Sequence, residues 1–362
     1  LIGASRGFGA LTFGLYGGAL ADRFDRRKLL IATQVLLVAS TTAIAALMLS
    51  GISGVVGFTL FFALTFVSAG LQAVDAPTRL AIVPDILGPD LTPAGMSMNQ
   101  VAAQLAMPVA MFGAGFIIDA FGFGYAYLLS GSGPLLAIFL LMLMRYAPQE
   151  NQHATAKRGY GLKETIQDVR FGLSYARQHT VVLWVIVLLV TMMSLGFPST
   201  ANLGPTWITT VVGVEVRSMG YVVMAWGLGA LIAATALMFL PNIKHRGALI
   251  AGGALLYSIS FIVFVADHTV LNAVLGNLGI GAGMTIAMVN STILIQELVP
   301  NEVRGRIMSI FQLNMGFAQL MTLPIAVAAQ WLTLETLLPF VAYATLAAVA
   351  LILLTRRQIA AA

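Results

Sequence analysis

From Leu29 to Val74 the chain contains no Asp, Glu, Lys or Arg. Ordinary soluble domains carry about one charged residue in four, so a charge-free run of this length belongs in lipid. A membrane-crossing helix needs about 20 residues, and unpaired backbone cannot face hydrocarbon, so the run must divide into two helices. Gly51, Ser53 and Gly54 supply the turn between them. The whole chain agrees, with 59% hydrophobic and 9% charged residues and a mean hydropathy of +0.92. That is the composition of an all-α integral membrane protein crossing the bilayer many times.

The absence of cysteine excludes a disulfide framework, a thiolate metal site and a cysteine nucleophile. The net charge of +5 does not point to nucleic acid, because the cations sit in short loops between apolar spans, where they set topology. Charges and turn residues place spans near 1–21, 29–49, 55–75, 94–118 and 122–144, then near 180–203, 218–240, 247–265, 270–296, 306–331 and 336–355. Loops on one side of these eleven spans carry 17 of the 19 Lys and Arg, among them Arg23, Arg79, Arg158, Lys244, Arg304 and Arg356. The opposite loops hold only Arg217. Such asymmetry places the first side in the cytoplasm, and with it the C-terminus.

An internal repeat accounts for the odd number of spans. Ser5-x-Gly7-Phe8 with Gly14-Leu15 returns as Ser218-x-Gly220-Tyr221 with Gly227-Leu228, an offset of 213 (220 − 7 and 227 − 14). Met96-Ser97-x-x-Gln100 returns as Met308-Ser309-x-x-Gln312, offset by 212 (309 − 97). Two separated matches at nearly one offset indicate duplication. The same offset places the counterpart of the 180–203 span before Leu1, so the chain reads as a fragment lacking its first helix, eleven helices out of twelve. The expected halves are 1–144 and 180–362, joined by a polar linker over 145–179. Within the linker Leu162, Ile166, Val169, Leu173 and Ala176 recur at helical spacing opposite charged residues, the pattern of an amphipathic helix on the inner membrane surface.

Between the first two spans stands Gly18-Ala-Leu-Ala-Asp22-Arg23-Phe-Asp25-Arg26-Arg27-Lys28. It resembles the loop between the second and third helices of the major facilitator superfamily, Gly-x-x-x-Asp-Arg/Lys-x-Gly-Arg-Arg/Lys. Gly18, Asp22, Arg23, Arg26 and Arg27 match in place, while Asp25 stands where that pattern has Gly. The Asp-Arg-x-Asp-Arg-Arg variant is similar to the enterobactin-exporter and macrolide-efflux branch. Asp75-Ala-Pro77-Thr78-Arg79 resembles the family's segment after its fourth helix, and Glu297 to Ser309 its counterpart before the eleventh.

The resemblance implies two six-helix halves and a conformational-switch loop at Gly18, Asp22, Arg23, Arg26 and Arg27. In the family this carboxylate sits against the start of the eleventh helix, here near Gly305, and an anion there favours one state over the other. It further implies a cytoplasmic gate at Asp75, Arg79, Arg304, Gly305 and Arg306. Asp75 and Arg79, four apart, pair if helix continues through Pro77.

Intramembrane polar residues are the remaining candidates. Arg6 is the only basic residue inside a span, and such charges mark functional sites unless they snorkel to the headgroups. Ser68 and Gln72 share a face with Thr65 and Asp75; Gln100 and Gln104 share one with Met107 and Met111. Asn277 and Asn290 with Gln296 lie on the tenth helix, and Gln312 and Gln319 on the eleventh. Amides among methionines suit a bulky, partly apolar solute, whereas interhelical hydrogen bonds that hold the bundle are the structural alternative. For the glycines Gly276, Gly279, Gly281 and Gly283, bending and close packing are the two alternatives.

The expected function is secondary active transport of a small amphipathic solute across the inner (plasma) membrane by alternating access. Efflux of a drug-like or siderophore-like compound, with protons as coupling ion, is set against uptake by a permease of the same fold. Two features weigh against proton-coupled export. The family's antiporter pattern in the fifth helix keeps only Pro108, with Met107, Met111 and Phe112 at the other positions, and the spans hold no deep Asp or Glu. An intramembrane enzyme would need His-Glu-x-x-His, Gly-x-Ser-x-Gly or a cysteine, and has none of them. No cofactor, metal or nucleic acid is implied; the expected partners are the lipid bilayer and the solute, and the expected state a monomer.

Overall fold

A computed structural model describes residue 3 and residues 5–9, 12–13, 24–144, 173–239 and 245–361. Within 84–119, at 216–217 and within 301–315 the backbone is described but many side chains are not. Among the described residues the chain is helical, with no strand. The contacts divide it into two compact units, 1–103 with 117–166 and 104–116 with 167–362.

In the first unit α1 (Arg26–Leu49) begins at Asp25, whose carboxylate accepts the Lys28 N–H at 3.0 Å. The residue that departs from the family pattern is therefore the N-cap of α1, a position where Asp replaces orphan donors' water. The helix ends where the sequence places its turn, with Gly51 and Gly54 at φ +68° and +76°, a region that only glycine enters without strain. Leu30, Thr33, Leu37, Ser40, Ile44 and Leu47 form its buried stripe at a spacing of three to four.

The next helix, α2 (Gly54–Ser130), is one run interrupted by non-helical backbone at Gly88 and Gly122. The sequence expectation of a span ending at residue 75 is corrected here. Helix continues to Gly88, where φ of +73° breaks it. Charge at Asp75 looked like a boundary, but the carboxylate is buried and hydrogen-bonded, so it does not need water. α3 (Ser132–Leu143) follows almost without interruption, and Phe61, Phe62 and Tyr127 pack edge to face beside Ile44 and Leu47.

In the second unit a helical stretch at 173–178 precedes α4 (Thr180–Phe197), which runs into a single π-helical turn at Pro198–Asn202 and then α5 (Gly204–Thr210). After it come α6 (Val216–Met238), α7 (Arg246–Val265), α8 (Val270–Leu298), α9 (Asn301–Trp331), α10 (Leu334–Thr355) and the short α11 (Gln358–Ala361). Expected boundaries in this half hold to within about five residues. Eight helical stretches among the described residues are long and apolar enough to cross a membrane. The expected spans at 94–118 and 306–331 are helical within α2 and α9 but do not count among the eight. Of the expected 1–21 span only residues 3, 5–9 and 12–13 are described, all helical, and most of the linker helix falls outside the described residues.

The glycines of α8 are packing positions. A Cβ at Gly276 would land on the Phe264 backbone, at Gly283 on Tyr257 and at Gly281 on Trp226. Their absence of a side chain lets α7 and α6 approach α8 at backbone distance, which in lipid replaces the hydrophobic drive that water would supply.

Candidate functional site

Gly18, Asp22 and Arg23 of the switch loop lie outside the described residues. Arg26 opens α1 and reaches across to α2, donating to Asp85 at 2.8 Å and to the Ala81 carbonyl at 2.9 Å. Its side chain is 25% exposed and that of Asp85 12%, so the pair is largely withdrawn from water. Arg27 turns the other way and donates to the carbonyls of Leu141 and Met142, both at 2.9 Å, at the end of α3. A cation on the last carbonyls of a helix satisfies orphan acceptors and meets the negative end of its dipole. The two arginines thus tie three helices together at one end of the unit.

Helix continues through Pro77 and the expected Asp75–Arg79 pair is present, though long. Asp75 is 6% exposed and accepts a hydrogen bond from Gln34 at 2.7 Å and a longer one from Thr33 at 3.4 Å. Arg79 stands at 4.0 Å with 60% of its side chain exposed, so the i,i+4 pairing is marginal. Asp75 is therefore held by α1, by neutral donors. Gln34 and Asp85 were not singled out from the sequence. The available signal was that Thr33-Gln34 is polar within a charge-free run and that Asp85 follows Pro84 at the next helical turn. Arg304, Gly305 and Arg306 lie in the first turns of α9, and their side-chain contacts are outside the described residues.

A second clamp occupies the corresponding place in the other unit. Arg246 opens α7 and donates to both carboxylate oxygens of Glu297, at 3.1 and 3.2 Å, at the end of α8. By the repeat, α7 and α8 correspond to α1 and the first part of α2, so each unit fastens the start of one helix to the end of the next with an arginine and a carboxylate.

Of the cavity candidates, Ser68 hydrogen-bonds Ser40 across the α1–α2 contact at 2.6 Å. Asn277 and Asn290 are buried and donate to carbonyls one turn back, Ala273 at 3.1 Å and Ile286 at 2.9 Å. Ser68 thus bridges two helices, while both asparagines bond within α8. Arg6 and Gln72 are exposed; the side chains of Gln100, Gln104 and Gln312 lie outside the described residues. Gln319 accepts from Asn202 at 3.4 Å, and Asn202 also donates to Thr322 at 2.8 Å. The π-turn puts Asn202 there, since the extra residue rotates it from the face it would hold in a regular helix. Single π-turns often mark functional sites. Among the described residues no group of His, Asp and Glu is placed to hold a metal ion.

A family model of the Major Facilitator Superfamily matches residues 1–323. No curated protein matches the chain. Among solved structures, a D-xylose–proton symporter is similar over 96% of this chain and 85% of its own, with a TM-score of 0.75 and 18% identity. A nucleoside transporter, NupG, gives 0.73 at 11% identity over 99% and 90%. A peptide transporter, POT, gives 0.72 at 17% identity over 99% and 85%. At these identities the likeness shows the fold alone.

Proposed function

The chain belongs to the Major Facilitator Superfamily, and we propose that it is a secondary active transporter moving a small amphipathic solute across the inner (plasma) membrane by alternating access. The superfamily match over most of the chain carries this reading. Support comes from an arginine–carboxylate clamp in each unit that joins the start of one helix to the end of the next, so that neighbouring helices of a bundle are tied to one another. Rigid bundles are what a rocking mechanism moves. The halves are 1–144 and 180–362, with Asp22, Asp75, Arg79, Arg304 and Arg306 on the side that opens and closes toward the cytoplasm.

Direction rests on the switch loop. Its Asp22-Arg23-x-Asp25-Arg26-Arg27 form supports the efflux branch, with a drug-like or siderophore-like solute and protons as coupling ion. Uptake is the second reading, favoured by the eroded antiporter pattern around Pro108. Fold does not fix direction. Solute counterflow in vesicles of defined orientation separates the two. Accumulation in inside-out vesicles supports efflux, and accumulation confined to right-side-out vesicles assigns uptake.

A further inference from the structure

We propose that Trp184, Arg356 and Arg357, at one end of the second unit, form a docking site for the headgroup of an anionic phospholipid. α10 ends at Thr355, and Arg356 leaves the helix with its guanidinium over the Trp184 ring, 4.2 Å from the centroid. The chain then turns back into α11, where Ile359 is wholly buried and its N–H donates to the Arg356 carbonyl at 3.0 Å. α11 packs on α7 and α4. Arg356 is therefore held against the bundle with Arg357 next to it in the turn, and both are exposed.

Among the described residues a further cation lies in the approach to α4. Arg177, also exposed, lies seven residues before Trp184 in sequence. Glu297, the described carboxylate at this end of α7 and α8, is taken by Arg246. A guanidinium held over an aromatic ring keeps donors for phosphate, which it binds in two-pronged fashion as an ammonium does not. Lipid fits better than a free anion for a second reason. Leu351 and Leu354, 63% and 69% exposed, lead up α10 to the arginines, an apolar track for an acyl chain below the headgroup. Trp at the end of an apolar span sits at headgroup depth. The assignment to the cytoplasmic leaflet rests on the proposed orientation, whereas binding itself does not.

The test uses the full chain purified in detergent, with phosphatidylglycerol or phosphatidylcholine added, bound lipid counted by native mass spectrometry and thermal unfolding followed in parallel. The wild type is expected to retain phosphatidylglycerol over phosphatidylcholine and to unfold at higher temperature with it. R356Q/R357Q is expected to bind it about thirtyfold more weakly, from about one surface-cation attraction lost per arginine. R356K/R357K, which keeps charge and fold, is expected to lie between. Equal retention of the two lipids or full retention by R356Q/R357Q would each overturn the site. Displacement by millimolar inorganic phosphate would make it a free-anion site and overturn the lipid assignment. None of these readouts measures transport, so a failure here leaves the transporter reading to its own vesicle assay.

Discussion

Arg26 and Asp85, 59 residues apart, meet at 2.8 Å on the flank of a helix pair that the sequence separates by a turn. The second unit's pair, Arg246 and Glu297, meets at 3.1 Å, but Glu297 is 52% exposed where Asp85 is 12%. Burial decides which clamp matters more. A double-mutant cycle on Arg26 and Asp85 is expected to give a coupling of about 1–3 kcal/mol, because each single change leaves a nearly buried charge without this partner. The same cycle on Arg246 and Glu297 is expected to give about 0–1 kcal/mol and to shrink with salt. Thermal unfolding in detergent at two salt concentrations reads both.

Gln34 is the main support of Asp75. Gln34→Ala is expected to cost about 1–3 kcal/mol, the usual cost of leaving a buried acceptor under-satisfied. Arg79→Gln is expected to change stability by less than about 0.5 kcal/mol, since the guanidinium is exposed and at the limit of contact. Equal losses would return the gate to the Asp75–Arg79 pair.

Two adjacent glycines of α7 separate close packing from backbone freedom. A Cβ at Gly253 would lie 2.7 Å from the Ala287 nitrogen, while Gly252 faces open space. G253A is expected to destabilise by about 1–3 kcal/mol through overpacking. G252A is expected to stabilise by about 0.5–1 kcal/mol through helix propensity. Matching effects would mean that neither is a packing position.

The π-turn at Pro198–Asn202 is coupled to α9 through Asn202. Thr322→Val removes the acceptor at nearly constant volume and is expected to cost about 1–2 kcal/mol by stranding a part-buried amide. If the turn also positions the solute path, N202A lowers solute uptake or release in vesicles more than it lowers stability.

Much of the bundle was legible because lipid imposes two coarse signals, apolar runs of fixed length and cations confined to one side. Those signals found the second half's spans closely. They misjudged α2, where Asp75 interrupts the hydropathy pattern but not the helix, because its partners lie on another helix 41 and 42 residues away. Asp25 was a departure from the loop pattern in sequence and is an N-cap in structure, a local role that three residues define. The polar candidates divided for a related reason. Ser68, Asn277 and Asn290 were visible as intramembrane polar residues, but whether such a group faces a solute or a neighbouring carbonyl depends on rotation about the helix axis, which spacing alone does not set. Asn202 escaped notice because a π-turn shifts that rotation by one residue.

Rocking of the two halves is the claim on which the functional reading depends, and the cysteine-free chain permits a direct measurement. With spin labels at K28C and H245C, both exposed positions and one in each unit, pulsed electron-spin distance measurements in lipid nanodiscs should show two distance populations. Their ratio should shift on changing pH or adding a transported solute. A single narrow distance, unchanged under every condition that supports transport, would contradict alternating access in this protein.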